Sequence, residues 1–270
     1  VITAAAILAR GLGSRMRRAE PGVALDAAQS AMADAGLKGM TPIDRPFLDY
    51  VLTALADAGI TTVALVIGPA HDVVRTYYQH TAPPSRVALR FAVQAEPRGT
   101  ADAVVAAADV LGDQPFLVLN ADNHYPVAAI RALAAADSAG VVAFDRDALL
   151  ADGLIEPERL RHFAVLDIDA HDGLAGIVEK PGEALDPTSD AARWISMNLW
   201  AITPALVRAC RVVPRSVRGE LELPHAIALA LQHDRVRVRA VKVSAPVLDL
   251  SSRADIPKVA ARLRGTAVRT

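Results

Sequence analysis

Short apolar runs alternate along the first half of the chain with stretches whose apolar residues recur every three or four positions. Thr3–Ala9, Thr62–Ile67, Ala88–Val93, Phe116–Leu119 and Gly140–Phe144 read as strands, mostly apolar on both faces. Phe47–Ala58, Asp72–Tyr78, Thr100–Val110 and Val127–Ala136 carry helical spacing between them. Gly59 follows the first of these helices, where a residue free to turn left-handed ends the hydrogen-bond ladder. Strands that are apolar throughout, alternating with helices, predict an α/β fold with a mostly parallel sheet covered on both faces.

The second half changes character. Phe163–Asp169 and Gly176–Glu179 read as antiparallel strands around the turn His171-Asp172-Gly173, and Ser196–Ile202 as a further strand. Leu221–Leu231 is helical, Val236–Val243 alternates like a strand, and Ala254–Leu263 is a closing helix. No proline-rich linker and no internal repeat interrupts the chain. Residues 1–270 are therefore expected to form one domain with an antiparallel, substrate-handling part embedded in it. The tail after Asp249 is too short for a β-helix of hexapeptide repeats.

Composition narrows the classes. With 52% hydrophobic and 22% charged residues the chain is globular rather than disordered. A net charge of -1 and a pI near 6.7 give no bulk attraction to nucleic acid or to an anionic membrane, so any anion site must be local. The single cysteine, Cys210, rules out an intrachain disulfide and points to a reducing compartment, the cytoplasm. It lies in the apolar stretch ALVRACRVV and reads as a small buried residue rather than a nucleophile. No stretch is long and uncharged enough to span a bilayer, and the first apolar run, broken by Arg10, does not read as a signal peptide.

The chemistry is concentrated at predicted strand ends, where open parallel sheets bind ligands. Ala4–Leu8 empties into Arg10-Gly11-Leu12-Gly13-Ser14-Arg15-Met16-Arg17-Arg18, a glycine- and arginine-rich turn suited to phosphate. Asp122 and Asp249 follow two other apolar runs. Either aspartate alone reads as a cap or turn former, but joined to a phosphate loop they form a pair suited to Mg2+, which takes one or two carboxylates plus phosphate oxygens. Gly11-Leu12-Gly13 lacks the third glycine of a dinucleotide fingerprint and the Gly-Lys-Ser/Thr ending of a P-loop. The histidines show no HExxH spacing, and no GxSxG elbow is present.

Several segments match one family in order. Leu8-Ala9-Arg10-Gly11-Leu12-Gly13-Ser14-Arg15-Met16 resembles the loop L-A-x-G-x-G-T-R-[ML]. Lys38-Gly39-Met40-Thr41-Pro42-Ile43 with Arg45-Pro46-Phe47-Leu48 resembles K-P-M-x-P-[VI] followed by [RK]-P-[LM]. Gln94-Ala95-Glu96-Pro97-Arg98-Gly99-Thr100-Ala101-Asp102-Ala103 resembles Q-x-E-P-x-G-T-A-x-A, and Leu119-Asn120-Ala121-Asp122-Asn123 resembles L-x-G-D-N. Val178-Glu179-Lys180-Pro181 reads V-E-K-P, Ser196-Met197-Asn198-Leu199-Trp200 resembles S-M-G-I-Y, Arg218–Leu223 reads RGELEL, and Leu248-Asp249-Leu250 resembles W-x-D-[IV]. Together they resemble the sugar-1-phosphate nucleotidyltransferases, the nucleoside-diphosphate-sugar pyrophosphorylases.

The resemblance implies a Rossmann-like fold of the nucleotide-diphospho-sugar transferase type, and attack of a sugar 1-phosphate on the α-phosphorus of a nucleoside triphosphate with pyrophosphate leaving. It implies catalytic roles for Arg15, at the departing phosphates, and Lys38, near the α-phosphate. Nucleotide contacts are implied for Ala9, Gly11, Leu12, Gly13, Ser14, Gln94, Gly99 and Thr100, with Gln94 and Gly99 at the base edge. Substrate contacts are implied for Asn120, Glu179, Lys180 and Asn198, and Mg2+ on Asp122 and Asp249. It also implies a homo-oligomer and no nucleic-acid or membrane partner.

Some positions depart from the pattern. Arg10 stands at a usually small position, where it either adds a cation beside the phosphates or points away and pairs elsewhere. Residues 19–37 lengthen the path from Arg15 to Lys38 and include a helix, Leu25–Ala35, expected to be an insertion forming a lid, a dimer contact or a binding surface. Asn198 replaces a common glycine, and Pro224-His225 replace Thr-Asp, changes on the sugar side that allow a modified hexose phosphate or pseudo-sugar. Trp200 reads equally as core and as a sugar-stacking platform. Two other readings compete: a cytidylyltransferase of a non-sugar alcohol phosphate such as phosphocholine, and a catalytically silent regulatory subunit of the same fold.

Overall fold

The computed structural model describes residues 1–270 except 137, 152, 180 and 183–188. Its strands are β1 (Ala4–Leu8), β2 (Thr62–Ile67), β3 (Ala88–Val93), β4 (Phe116–Asn120), β5 (Asn123–His124), β6 (Gly140–Asp145), β7 (Ala164–Ile168), β8 (Leu174–Val178), β9 (Trp194–Ile202), β10 (Arg239–Val243) and β11 (Leu248–Asp249). The main sheet runs β10-β6-β9-β4-β1-β2-β3. Within it β3, β2, β1 and β4 are mutually parallel, as are β6 and β10, while β9 runs antiparallel to β4 and β6 and joins the two parallel sets. The hairpin β7–β8 attaches antiparallel to the start of β9, and β5–β11 form a separate antiparallel ribbon. A mostly parallel sheet with an embedded antiparallel part is what the alternation predicts.

The period of two along each strand divides the core. Ala5, Ile7, Val63, Leu65, Leu117 and Leu119 face one layer; Ala4, Ala6, Ala64, Val66, Phe116 and Val118 face the other. The first layer is covered by α3 (Phe47–Asp57), α6 (Val127–Ala134) and α10 (Asp255–Leu263). The second is covered by α5 (Thr100–Leu111), α8 (Pro204–Val212) and α9 (Leu223–His233), whose alanine-rich faces let the helices approach closely. Shorter helices are α1 (Ser14–Arg17), α2 (Ala27–Ala35), α4 (Asp72–Thr76) and α7 (Arg146–Leu150).

Most strand boundaries agree with the pattern, and the departures have local causes. The helix begun at Asp72 passes into a π-turn over Tyr77–Thr81. There Tyr77 and Tyr78 donate hydrogen bonds of 3.0 and 2.8 Å to the buried Asp49 carboxylate on α3. The strand expected over Val236–Val243 forms only from Arg239, because Val236 N–H still bonds back to Ala230 of α9. The segment around Cys210 is a helix, with Leu206, Ala209 and Cys210 on its buried stripe. Trp200 is fully buried in the second layer, so it is core and not a sugar platform.

Burial in that apolar layer pushes the Cys210 thiol up to about 12. The native protein should therefore show no thiol reactive toward Ellman's reagent at pH 8, and one after denaturation. Reaction of the native protein at the rate of a free thiol is the outcome that contradicts this burial.

Candidate active site

The ends of β1, β2 and β4 lie level. Leu8 pairs with Val66 on one side and Asn120 on the other, and the ladder continues one step through Ala9 N–H to Val66 O (2.9 Å) and Ala121 N–H to Leu8 O (3.1 Å). The turn after β1 and the segment Asn120–Asp122 thus emerge side by side. Gln94 follows β3 at the same edge, its N–H bonded to Ile67 O (2.9 Å). These segments enclose a cavity of about 400 Å³. Ala9, Gly11, Leu12, Gly13, Ser14, Lys38, Gln94, Gly99, Thr100, Asn120 and Asp122 all line it, as does Arg10. Arg15, Glu179, Asn198 and Asp249 lie outside its wall, and Lys180 lies outside the described residues.

The glycines of the turn are structural requirements. Gly13 has φ 62°, and a Cβ there would fall 2.4 Å from Gly36 O, at the left-handed cap ending α2. The stretch 19–37 is therefore packed directly beneath the turn. Arg17 donates to Ala35 O (2.9 Å), Arg253 donates to Met16 O (2.9 Å) and pairs with Asp34, and Ala254 N–H donates to Glu20 (3.0 Å). Helix α2 begins with a reciprocal capping box between Asp26 and Gln29. Arg15 is exposed on α1.

Arg10 turns toward the far end of the cavity. Its Nε donates to Gln94 O (3.4 Å), and its guanidinium lies over Gly68 beside His71. Burial first, and then the charges of Arg10, Arg17 and Arg75, lower the His71 pKa, so this imidazole is neutral and its Nδ1 accepts from Gly68 N–H (3.3 Å). The base-side loop is held from an unexpected direction. Leu221 N–H donates to Arg98 O (2.7 Å), Ala101 N–H to Leu221 O (2.9 Å), and Leu223 N–H to the Thr100 hydroxyl (2.9 Å). The RGELEL segment is thus a backbone splint for the Gly99 loop, and Glu220 reaches the cavity wall.

Lys38, on a short 3-10 turn over Lys38–Met40, places Nζ 2.8 Å from Asp122 Oδ2. Beyond Asp122 the ribbon β5–β11 sets Asn123 opposite Asp249, and Asn123 Nδ2 donates to Asp249 Oδ1 (3.1 Å). Leu250 N–H also bonds to Asp122 O (2.8 Å), bringing the two aspartates together. Burial, and next the neighbouring Asp122 charge, raise the Asp249 pKa, while Arg159 opposes the shift. Arg159 bridges Asp249 to Asp255, with 2.8 Å to the latter. Burial lowers His124 to about 4, leaving it neutral. Among the described residues no group of three or more His, Cys, Asp or Glu is arranged to hold a metal. Carboxylates arranged as a pair are the number a phosphate-bound Mg2+ uses.

On the other side of this ribbon Tyr125 Oη donates to Met197 O (2.5 Å) and contacts Asn123. Met197 precedes Asn198, which sits in β9 at φ 61°, the left-handed region asparagine tolerates where glycine is common. Glu179 at the end of β8 lies 3.7 Å from Arg218, which also holds the buried Glu222.

With this arrangement of loop, lysine and aspartates, the match to known families is specific. The nucleotidyl transferase family model matches residues 37–245. The chain belongs to the nucleotidyl transferase family. It is 24% identical over 265 residues to a UTP–glucose-1-phosphate uridylyltransferase, AglF, of Haloferax volcanii, covering 96% of both chains. It is 32% identical over 224 residues to a glucose-1-phosphate thymidylyltransferase of Streptomyces antibioticus, covering 83% of this chain but only 56% of that enzyme. A solved UDP-glucose pyrophosphorylase complexed with UDP-glucose superposes with a TM-score of 0.76 over 99% of this chain and 100% of its own at 17% identity, which shows the shared fold.

Sequence reasoning missed Arg159 and Tyr125 at this candidate site, and gave Asn123 no role of its own within the Leu119–Asn123 segment. Arg159 meets Asp249 across 90 residues, and no local spacing announces such a contact. Asp102 lies within the Gln94 segment at a position the motif leaves open.

Gly99 has φ 125°, and a Cβ there would fall 2.3 Å from Leu221 O. Gly99→Ala should separate the two loops and raise the KM for nucleoside triphosphate about tenfold or more, at a cost of roughly 1–3 kcal/mol in stability. Unchanged KM and Tm would show that the splint is not needed.

Proposed function

We propose that this chain transfers a nucleotidyl group from a nucleoside triphosphate to a sugar 1-phosphate, giving a nucleoside-diphosphate sugar and pyrophosphate. One observation carries the reading: a single cavity joins the glycine–arginine turn to the Lys38–Asp122 pair at the end of β4, in a chain of this family. A sugar phosphate oxygen forms a bond to the α-phosphorus as the bond from that phosphorus to the bridging oxygen breaks. A phosphate dianion needs no base, so the protein's task is positioning and charge neutralisation.

The amides of Gly11–Ser14 and the Arg15 side chain receive the departing phosphates, and Lys38 exchanges part of its contact with Asp122 for the α-phosphate. Glu179 and Lys180, adjacent in the chain, hold the sugar hydroxyl and its phosphate, with Asn198 shaping that side. Asp122 and Asp249 have the hard oxygen donors that Mg2+ requires, and this mutually repelling pair, Asp249 buried and Asp122 half-buried, fits a divalent cation. When bound, the cation polarises the phosphoryl oxygens and offsets their charge.

The test is pyrophosphate release with five nucleoside triphosphates against several sugar 1-phosphates and phosphocholine. Release with a sugar 1-phosphate is expected. Release only with phosphocholine favours the alcohol-phosphate reading, and nucleotide binding without release favours the silent subunit. Asp122→Asn should lower Mg2+-dependent turnover by about 100-fold or more with Tm nearly unchanged. Near-normal activity of this variant contradicts the metal assignment.

A further inference from the structure

The cavity wall contains an amide whose polarity is set by the protein. Gln94 is 4% exposed, and its Nε2 donates to Gly99 O (3.0 Å) and to Asp102 Oδ2 (2.8 Å). Both partners are acceptors, and one is a carboxylate, so the amide nitrogen must face them and both of its N–H groups are used. A flipped amide would set Oε1 against a carbonyl and a carboxylate. Oε1 is left as the atom that meets a ligand, and it receives no hydrogen bond from the described residues. The main chain of Gln94 is held as well, through Ile67 O and Arg10 Nε. This is a hydrogen-bond acceptor on a buried residue, with one permitted orientation.

Its neighbour on the wall is a donor. Arg10 lies against Gln94 with its terminal guanidinium nitrogens unpaired among the described residues. Leu8, Pro97 and Ala103 add apolar surface against which a planar ring can lie. An acceptor beside a donor complements an edge that reads N–H beside carbonyl. That is the edge of uracil and thymine, and of guanine, whose N1–H stands beside O6. The amino groups of cytosine and adenine also donate, but each stands at the end of its edge with a bare ring nitrogen beside it. In the pose where the ring N–H of uracil or guanine meets Oε1, those bases bring an unpaired acceptor against the acceptor.

We infer that Asp102 is the specificity-determining positioning residue of this site: by fixing the amide of Gln94, it commits the cavity to nucleotides whose base carries a ring N–H beside a carbonyl (uracil, thymine or guanine) and against cytosine and adenine. The inference rests on the proposed nucleotidyl transfer and supplies its class of nucleobase. Asp102 itself touches no substrate; it acts through Gln94.

The experiment compares kcat/KM for UTP, dTTP, GTP, CTP and ATP with one sugar 1-phosphate, in the wild type, Asp102→Ala and Asp102→Asn. The wild type should favour UTP, dTTP or GTP over CTP and ATP by about 100-fold or more. Asp102→Ala frees the amide to rotate and should shrink the ratio of the preferred nucleotide to CTP at least tenfold. Asp102→Asn keeps the side-chain size and can bond to Gln94 in either orientation, so it should also narrow the ratio, and it serves if the alanine variant does not fold. A wild-type preference for CTP or ATP overturns the inference. So does an equal loss for all five nucleotides in both variants, which marks a structural role only. Absence of turnover with every nucleotide instead defeats the transfer reading; calorimetric binding of UTP against CTP then tests the base selection by itself.

Discussion

The site depends on one constraint, the level register of β2, β1 and β4. Side chains alternate along a strand, so a one-residue slip of β1 would exchange its two faces and move its end relative to both neighbours. Ile7 and Ala6 belong to opposite layers, and each layer is filled by different helices, so such a slip would misplace both halves of the core. Packing therefore holds the register, and the register delivers the glycine turn, Asn120–Asp122 and Gln94 to one edge. The reversed strand β9 completes the arrangement. It lets two parallel sets share one sheet and carries Asn198 back toward the ribbon that holds the aspartates.

Charge at this edge is balanced internally before any ligand arrives. Lys38 neutralises Asp122, and Arg159 neutralises Asp249 while also serving Asp255. Removing Arg159 would strand the buried Asp249 at a large desolvation cost, whereas Lys38 and Asp122 both keep part of their side chains in water. Exchanging a partner for a phosphate oxygen or a cation avoids that cost, because each group always has an opposite charge to meet. On the proposed reading the resting pairs preorganise the groups that must later surround crowded phosphates. Arg10 and Arg15 stand apart from this balance and leave the turn with surplus positive charge.

Legibility in the sequence followed the range of the interactions. Parallel strands and the helices that cover them announce themselves by local period, so nearly every element of the first half was readable. The helix over Pro204–Val212 is not among the elements the pattern predicts, because Arg208 and Arg211 interrupt its apolar residues. Within the site, most residues of the contiguous motifs share one wall, while Arg15, Glu179, Asn198 and Asp249 lie outside it. Arg159 and Tyr125 belong to no motif, since their roles arise from contacts across the fold. The stretch 19–37 was visible as unusual spacing, but its packing under Gly13 depends on Gly36 and Arg253, which no short pattern connects.

The loop contacts also revise how the motifs divide the work. Read in sequence, the resemblance sets the RGELEL segment with the sugar motifs, and its first residue, Arg218, does approach Glu179. In space its backbone forms a short ladder with Arg98–Ala101, closing around Gly99, where no side chain fits. One segment therefore touches the sugar motif through a side chain and the base-side loop through its main chain. Backbone bonds are insensitive to side-chain identity, so the side chains of this segment can vary while the Gly99 loop stays in place. That separation explains how Pro224-His225 can depart from the thymidylyltransferase pattern without disturbing the geometry around Gln94.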